Sequence, residues 1–289
     1  MMNKYNDTIK LLSSRLDELT RFSNCSYDKL LEAERYSVTA GGKHLRGLIL
    51  LETAKMGKIS SEAAIDYACA LEMVHTYSLI HDDLPEMDND NMRRGLPTCH
   101  VKYGTDMALL AGDALLTKAF SVIASDTNFS DDKKIECIRI LADACGEHGM
   151  LAGQTIDKLS ENTQIDYERL VELHSRKTAD MFCAAVKIGC VLGNIPNDIE
   201  AVLTDAMNSL GLIFQIRDDI LDVISDSKVL GKPVNSDEKS GKSTFVSLLG
   251  QDKSQALLEK LMSEAKQKIA LSGNSFFLDL ADFFVSRTK

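Results

Sequence analysis

Between Pro97 and Pro196 the chain runs without a single proline. Only four prolines occur in 289 residues. Proline ends or kinks helices, so long proline-free segments rich in Ala, Leu, Ile, Lys and Glu predict helix almost throughout. The apolar residues carry the same message. Ile9, Leu12, Leu16 and Leu19 share one face of a helix over residues 4–22. Further helices are predicted over 27–38, ending near Gly41 and Gly42, over 43–57, stopped by Gly57, and over 61–83. Ser60 or Ser61 is the expected N-cap of the last of these, and Pro85 re-aims the chain after it. "MALLAGDALLTKAFSVIAS", residues 107–125, is very apolar and expected to be central. Helices follow over 131–157, 166–193, 199–225, 252–272 and 275–286, with a polar, glycine-rich loop over 226–244. No segment alternates as a strand between turn signals, no repeat stands out, and no linker marks a boundary. The expectation is one all-α domain spanning residues 1–289.

Composition excludes several classes. Hydrophobic residues make up 44% of the chain, too many for a disordered protein. A net charge of −10 argues against a nucleic-acid partner, although local cations can still bind a small anion. The seven cysteines are odd in number and form no C-x-x-C pair, which predicts reduced, mostly buried thiols rather than disulfides or zinc. The charged N-terminus has no leader-like apolar core, and no long uncharged apolar run is seen. A cytoplasmic protein with no membrane span is expected.

The charges are arranged less evenly than that composition suggests. In "HTYSLIHDDLPEMDNDNMRRG", residues 75–95, five carboxylates crowd the end of an apolar helix. His75, Ser78 and Asp82 stand at i, i+3 and i+7 and make a polar stripe ending at Asp82 and Asp83, with Asp88 beyond Pro85. Glu86 and Asp90 fit a solvated loop. Asp82 and Asp83 do not, because the helix leading to them is too apolar for a surface element. A second apolar helix repeats the pattern in "FQIRDDILDVI", where Gln215, Asp218 and Asp222 share a face. Two such clusters suggest facing walls of one cavity. Oxygen ligands without His or Cys at ligand spacing point to a hard cation, and Mg²⁺ typically binds through one or two carboxylates plus substrate phosphates. A calcium loop competes poorly, since its glycine and terminal glutamate are missing. Cations lie nearby in sequence: Lys43 and Arg46 after a glycine pair, Arg93 and Arg94, Lys177 with Thr178, Lys232 and Lys242. Each alone is more often a solvated residue; their significance comes from accompanying the acidic clusters.

With these residues in view the sequence resembles the trans-isoprenyl diphosphate synthases of the polyprenyl synthetase family, and most resembles their bacterial farnesyl-type members. "GGKHLR", "DDLPEMD", "MRRG", "AGQTID", "KTADMF", "DDILD", "LGKP" and "SGKST" occur in the family's order over nearly the whole chain. His44 comes nearest to a departure. The resemblance implies antiparallel helices around a central cavity, the isoprenoid synthase fold, usually as a homodimer. It also implies a prenyltransferase that condenses isopentenyl diphosphate head-to-tail with an allylic diphosphate, dimethylallyl then geranyl, and releases pyrophosphate.

Roles carry over with the motifs. Asp82, Asp83, Asp88, Asp218, Asp219 and Asp222 are implied to hold three Mg²⁺ ions. With Arg93, Lys177, Lys232 and Lys242, those ions clamp the allylic diphosphate. Lys43, Arg46, His75 and Arg94 are implied to take isopentenyl diphosphate. Thr178 and Gln215 set oxygen dipoles beside the allylic cation, and Gln154 and Asp157 support the first acidic set. Tyr77, with Ser78, resembles the aromatic floor of enzymes that stop at farnesyl diphosphate. A geranylgeranyl-forming enzyme is the alternative. A terpene cyclase lacks use for Lys43, Arg46 and Arg94, and an inactive regulatory subunit usually lacks one of the two aspartate motifs, both intact here.

Overall fold

The structure, a computed structural model, describes residues 1–224 and 242–287. Lys232 and most of the loop expected over 226–244 lie outside the described residues. The helices are α1 (Asn6–Leu19), α2 (Asp28–Val38), α3 (Leu45–Met56), α4 (Ser61–Asp82), α5 (Cys99–Tyr103), α6 (Thr105–Ala124), α7 (Asp131–Cys145), α8 (Met150–Leu159), α9 (Tyr167–His174), α10 (Asp180–Gly193), α11 (Asn197–Ile224), α12 (Phe245–Leu249), α13 (Gln251–Ser272) and α14 (Ser275–Ser286). The architecture is all-α. The sole strands among the described residues are the two-residue pair β1 (Met92–Arg93) and β2 (Leu96–Pro97), antiparallel with Arg93 opposite Leu96.

The contacts divide the chain into two compact units. One comprises Met2–Arg139 and Ile188–Asn194; the other comprises Met1, Ile140–Lys187 and Ile195–Lys289.

In the first unit α4 is the core helix. Ser60 caps it by accepting from the Ala63 N–H at 3.3 Å, as its sequence position predicts. Leu71, Met73, Val74, Tyr77 and Ile80 are buried on several sides, the pattern of a helix surrounded by protein rather than lying on a surface. It packs against α3 and α6. Gly112 permits the α6 contact, because a Cβ there would fall 2.1 Å from Nε2 of His81. The expectation that α6 is central holds for one face only: Ala108, Ala111, Leu115 and Ala119 are buried, while Leu109 and Leu110 are exposed. By length and composition alone α6 could cross a membrane, and about a third of the qualifying stretch is buried.

The second unit is organised on α11, which packs against α13 and α14. Phe182, Phe214 and Phe284 form an aromatic cluster there, with centroids 5.2–6.2 Å apart. Two of the long predicted helices are divided. The stretch 131–157 breaks at residues 146–149, where a Cβ on Gly149 would meet the Ala144 carbonyl oxygen at 2.1 Å. The stretch 166–193 holds a π-helical turn, Ser175–Ala179, between α9 and α10. That turn carries Lys177 and Thr178, and π-turns inside helices are frequent at functional sites.

Candidate active site

In the first unit a carboxylate outside the motifs pins the "GGKHLRG" segment to α4. Glu72 is buried. Its Oε1 accepts from the Gly47 N–H at 2.9 Å, and its Oε2 lies 3.1 Å from Nδ1 of His44. His44 has φ 45°, the left-handed turn that lets its ring point back to Glu72 while starting α3. Burial alone would raise the Glu72 carboxyl, but the His44 bond, the charges of His44 and His75 and the Gly47 N–H hold it down at about 2. A Glu three residues before His75 on an apolar helix was the available signal.

Around that anchor the expected isopentenyl diphosphate residues gather. Burial pushes the His75 imidazole well below its ordinary value, and Arg46, Arg94 and Arg93 push it further against the pull of Glu72. His75 is therefore neutral near pH 7, with one ring N–H and one ring lone pair. Burial, joined by Arg94 and opposed by Glu72, lowers Arg46 to about 10, so it stays charged. Arg94 sits at φ 55° and donates to the Gly41 carbonyl. Its guanidinium lies where a Cβ on Gly42 would stand, 2.9 Å away, so that glycine makes room for it. Lys43 is exposed.

One carboxylate of the first acidic motif is already paired with an arginine. Arg93 Nε lies 2.9 and 2.8 Å from the two oxygens of Asp83, and Nη2 donates to Oδ1 at 2.6 Å. Asp83 is buried, and burial outweighs Arg93 enough to raise its carboxyl. Asp82 ends α4, and its carbonyl accepts from the Asp88 N–H at 2.8 Å, which folds Asp88 back toward the helix end. Tyr77 is buried one turn earlier, edge-on to His81 at 5.6 Å, and His81 Nε2 is 2.9 Å from the Leu109 carbonyl on α6. The hydroxyl of half-buried Ser78 donates to the His75 carbonyl.

In the second unit Lys177 donates to Asp157 Oδ2 at 2.6 Å, and Lys242 lies 3.9 Å from the same oxygen. Asp157, placed by the resemblance behind the first acidic set, has Lys177 as its bonded partner. Gly153 allows that approach, since a Cβ there would lie 2.2 Å from the Lys177 backbone nitrogen. The buried Thr178 hydroxyl donates to Gln215 Oε1 at 3.2 Å, joining the π-turn to α11. Asp219 Oδ2 accepts from the Phe245 N–H at 2.7 Å, and Asp219 and Asp222 are both buried. Asp218 Oδ1 is held at 2.6 Å by Nη2 of Arg287. His174 stacks on Phe245 at 5.5 Å, and burial lowers it to about 4.

Among the described residues no three His, Cys, Asp or Glu side chains form a ready metal cage. The donor set nevertheless suits Mg²⁺. It is all oxygen, and Mg²⁺ prefers a few carboxylates completed by water and phosphate over a full protein cage. Each motif also has an arginine on one carboxylate, Arg93 on Asp83 and Arg287 on Asp218, which places positive charge where a cation is favoured.

Residues 27–272 match the family model described as Polyprenyl synthetase. The chain is 40% identical to farnesyl diphosphate synthase of Escherichia coli over 268 residues, 90% of each chain. It is 43% identical to geranylgeranyl diphosphate synthase of Cyanophora paradoxa, covering 90% of this chain and 88% of that one. Among solved structures, the geranyltransferase of Helicobacter pylori complexed with magnesium and isoprenyl diphosphate is 31% identical, with a TM-score of 0.87 over 98% of this chain and 96% of that one.

Proposed function

The chain belongs to the polyprenyl synthetase family, and on that premise we propose that it condenses isopentenyl diphosphate head-to-tail with dimethylallyl and then geranyl diphosphate, giving farnesyl diphosphate and pyrophosphate. The all-α isoprenoid synthase fold fits this prenyltransferase activity. The observation that carries the reading is the company each aspartate motif keeps. Asp82, Asp83 and Asp88 occur in one unit with the Lys43, Arg46, His75 and Arg94 set, while Asp218, Asp219 and Asp222 occur in the other with Lys177, Thr178 and Gln215.

In this reading the six aspartates hold Mg²⁺, three ions with substrate bound, and the metal supplies electrostatic stabilisation to the departing pyrophosphate. Lys177, aimed by Asp157, and Lys242 bind the allylic diphosphate together with Arg93. Lys232 is assigned to the same group and lies outside the described residues. The allylic C–O bond breaks with its electron pair leaving on pyrophosphate. The Thr178 and Gln215 oxygens place negative dipole ends near the allylic cation. Arg46, Arg94, Lys43 and the neutral His75 orient isopentenyl diphosphate, whose double bond supplies the pair for the new C–C bond. The proton then lost is taken by pyrophosphate, so no histidine base is required.

The buried Tyr77, backed by His81 and α6, supports a farnesyl product. The geranylgeranyl-forming relative keeps the longer product as the second reading. No disulfide links any of the seven cysteines, which supports a reducing cytoplasmic setting. The exposed Leu109 and Leu110 support a homodimer. The test is product sizing by mass spectrometry after incubation with dimethylallyl and isopentenyl diphosphates and Mg²⁺. Farnesyl diphosphate as the main product, abolished by a chelator and restored by Mg²⁺, is expected; mainly geranylgeranyl diphosphate, or metal-independent turnover, overturns the reading.

A further inference from the structure

The last described residue, Arg287, has no part in the reaction as assigned, yet it is bound closely to one of the metal-assigned aspartates. Its side chain is 4% exposed, whereas that of Asp218 is 44% exposed. Nη2 donates to Asp218 Oδ1 at 2.6 Å and to the Phe214 carbonyl at 2.6 Å. The guanidinium lies 3.6 Å from the centroid of the Phe214 ring. The Arg287 carbonyl accepts from Nη2 of Arg217 at 3.2 Å, and its N–H caps α14 through the Phe283 carbonyl at 3.1 Å. Phe214, Arg217 and Asp218 stand at i, i+3 and i+4 on α11, so these attachments converge on one face of one helix.

The charge balance gives this clasp a consequence. Three carboxylates within five residues repel one another, and the two that are buried, Asp219 and Asp222, cannot be relieved by solvent alone. A guanidinium on Asp218 adds positive charge to this cluster. A divalent cation loading the same motif supplies more of it, competes for the Asp218 oxygens and repels the guanidinium. We propose that Arg287 is the resident counter-cation of the second aspartate motif, displaced from Asp218 when a divalent metal binds, so that metal loading releases the end of α14 from α11. This rests on the assignment of Asp218 to Mg²⁺ above.

The experiment reads metal binding without turnover. Mn²⁺ binding is measured by electron paramagnetic resonance in protein carrying Asp82→Asn, Asp83→Asn and Asp88→Asn, which silences the first motif. That protein is compared with the same protein bearing Arg287→Gln or Arg287→Lys. An ion pair with one partner partly exposed is worth about 1 kcal/mol, so removing the charge should tighten Mn²⁺ binding about three- to tenfold. Arg287→Lys, which keeps the charge, should stay within about twofold. Hydrogen exchange of the α14 peptide in the wild-type chain should accelerate on adding Mg²⁺, as the cap at Arg287 loosens. Unchanged or weaker Mn²⁺ binding in Arg287→Gln, or exchange that Mg²⁺ leaves alone or slows, overturns the displacement and leaves the metal assignment standing. No Mn²⁺ binding in any of the three proteins, with or without inorganic pyrophosphate, removes the assignment itself, and this inference with it.

Discussion

At position 72 a single carboxylate does two jobs that no motif announces. Glu72 ties the turn before α3 to the core helix, and it places a buried negative charge beside His75 and Arg46. Glu72→Gln should cost on the order of 1–3 kcal/mol, because the charge-assisted bonds to His44 and Gly47 weaken while the groups stay buried. It should also raise the KM for isopentenyl diphosphate about tenfold, with little change for the allylic substrate, since Lys43 and Arg46 lose their fixed base. The pH sign follows from a folded value lower than the unfolded one. The stabilisation is complete above the unfolded value of about 4.3 and is lost as pH falls toward about 2. Thermal melts of wild type should therefore decline across that window and those of Glu72→Gln should decline less; parallel curves would exclude the role. Tyr77 raises a different question, that of chain length. Forcing another isoprene unit past a packed ring costs about 1–3 kcal/mol of strain. Tyr77→Ala should lengthen the main product by at least one unit in mass-spectrometric sizing, and an unchanged product would make Tyr77 an ordinary core aromatic.

Among the elements, α14 shows how a terminal helix is secured. Phe276, Phe277, Leu280 and Phe284 are buried along it, and Asn274 caps it by accepting from the Phe276 N–H at 2.8 Å. Phe284→Ala should destabilise by about 3–5 kcal/mol, read from urea unfolding, because it opens a cavity beside Phe182 and Phe214. A loss below about 1 kcal/mol would mean that the cluster closes over the gap. The start of α4 was legible in sequence because Ser60 is local punctuation whose effect does not depend on distant packing. The breaks inside 131–157 and 166–193 were not. Gly146 and Gly149 are tolerated in helices as well as in turns, and a π-turn leaves the apolar spacing nearly intact. The short helices α5 and α12 carry too few residues to show a period. The same limit separates the site residues. Asp82, Asp83, Asp218 and Lys177 belong to local patterns, whereas Glu72 and Arg287 matter only through partners 25 or more residues away.

At the scale of the whole molecule, the exposed apolar surface and the net charge pull in opposite directions. Each chain carries −10, so two copies repel. Leu109 and Leu110 on α6 and Val101 on α5 are nonetheless exposed, at 47%, 46% and 49%. An association built on such residues should respond to salt in one direction. Screening weakens the repulsion between net charges beyond a Debye length of about 10 Å at 0.1 M salt, while the apolar contact is unaffected. A dimer held by this face should thus persist or tighten from low salt to about 0.15 M, whereas one held by ion pairs should loosen. In light scattering after size exclusion, wild type is expected at twice the 31.9 kDa chain mass at both salt concentrations. Leu109→Glu with Leu110→Glu places two more negative charges per chain in the contact and should give monomers with an unaltered helical spectrum. A double variant that stays dimeric would move the interface off α6, and a wild type that is monomeric throughout would remove the homodimer from the proposed function.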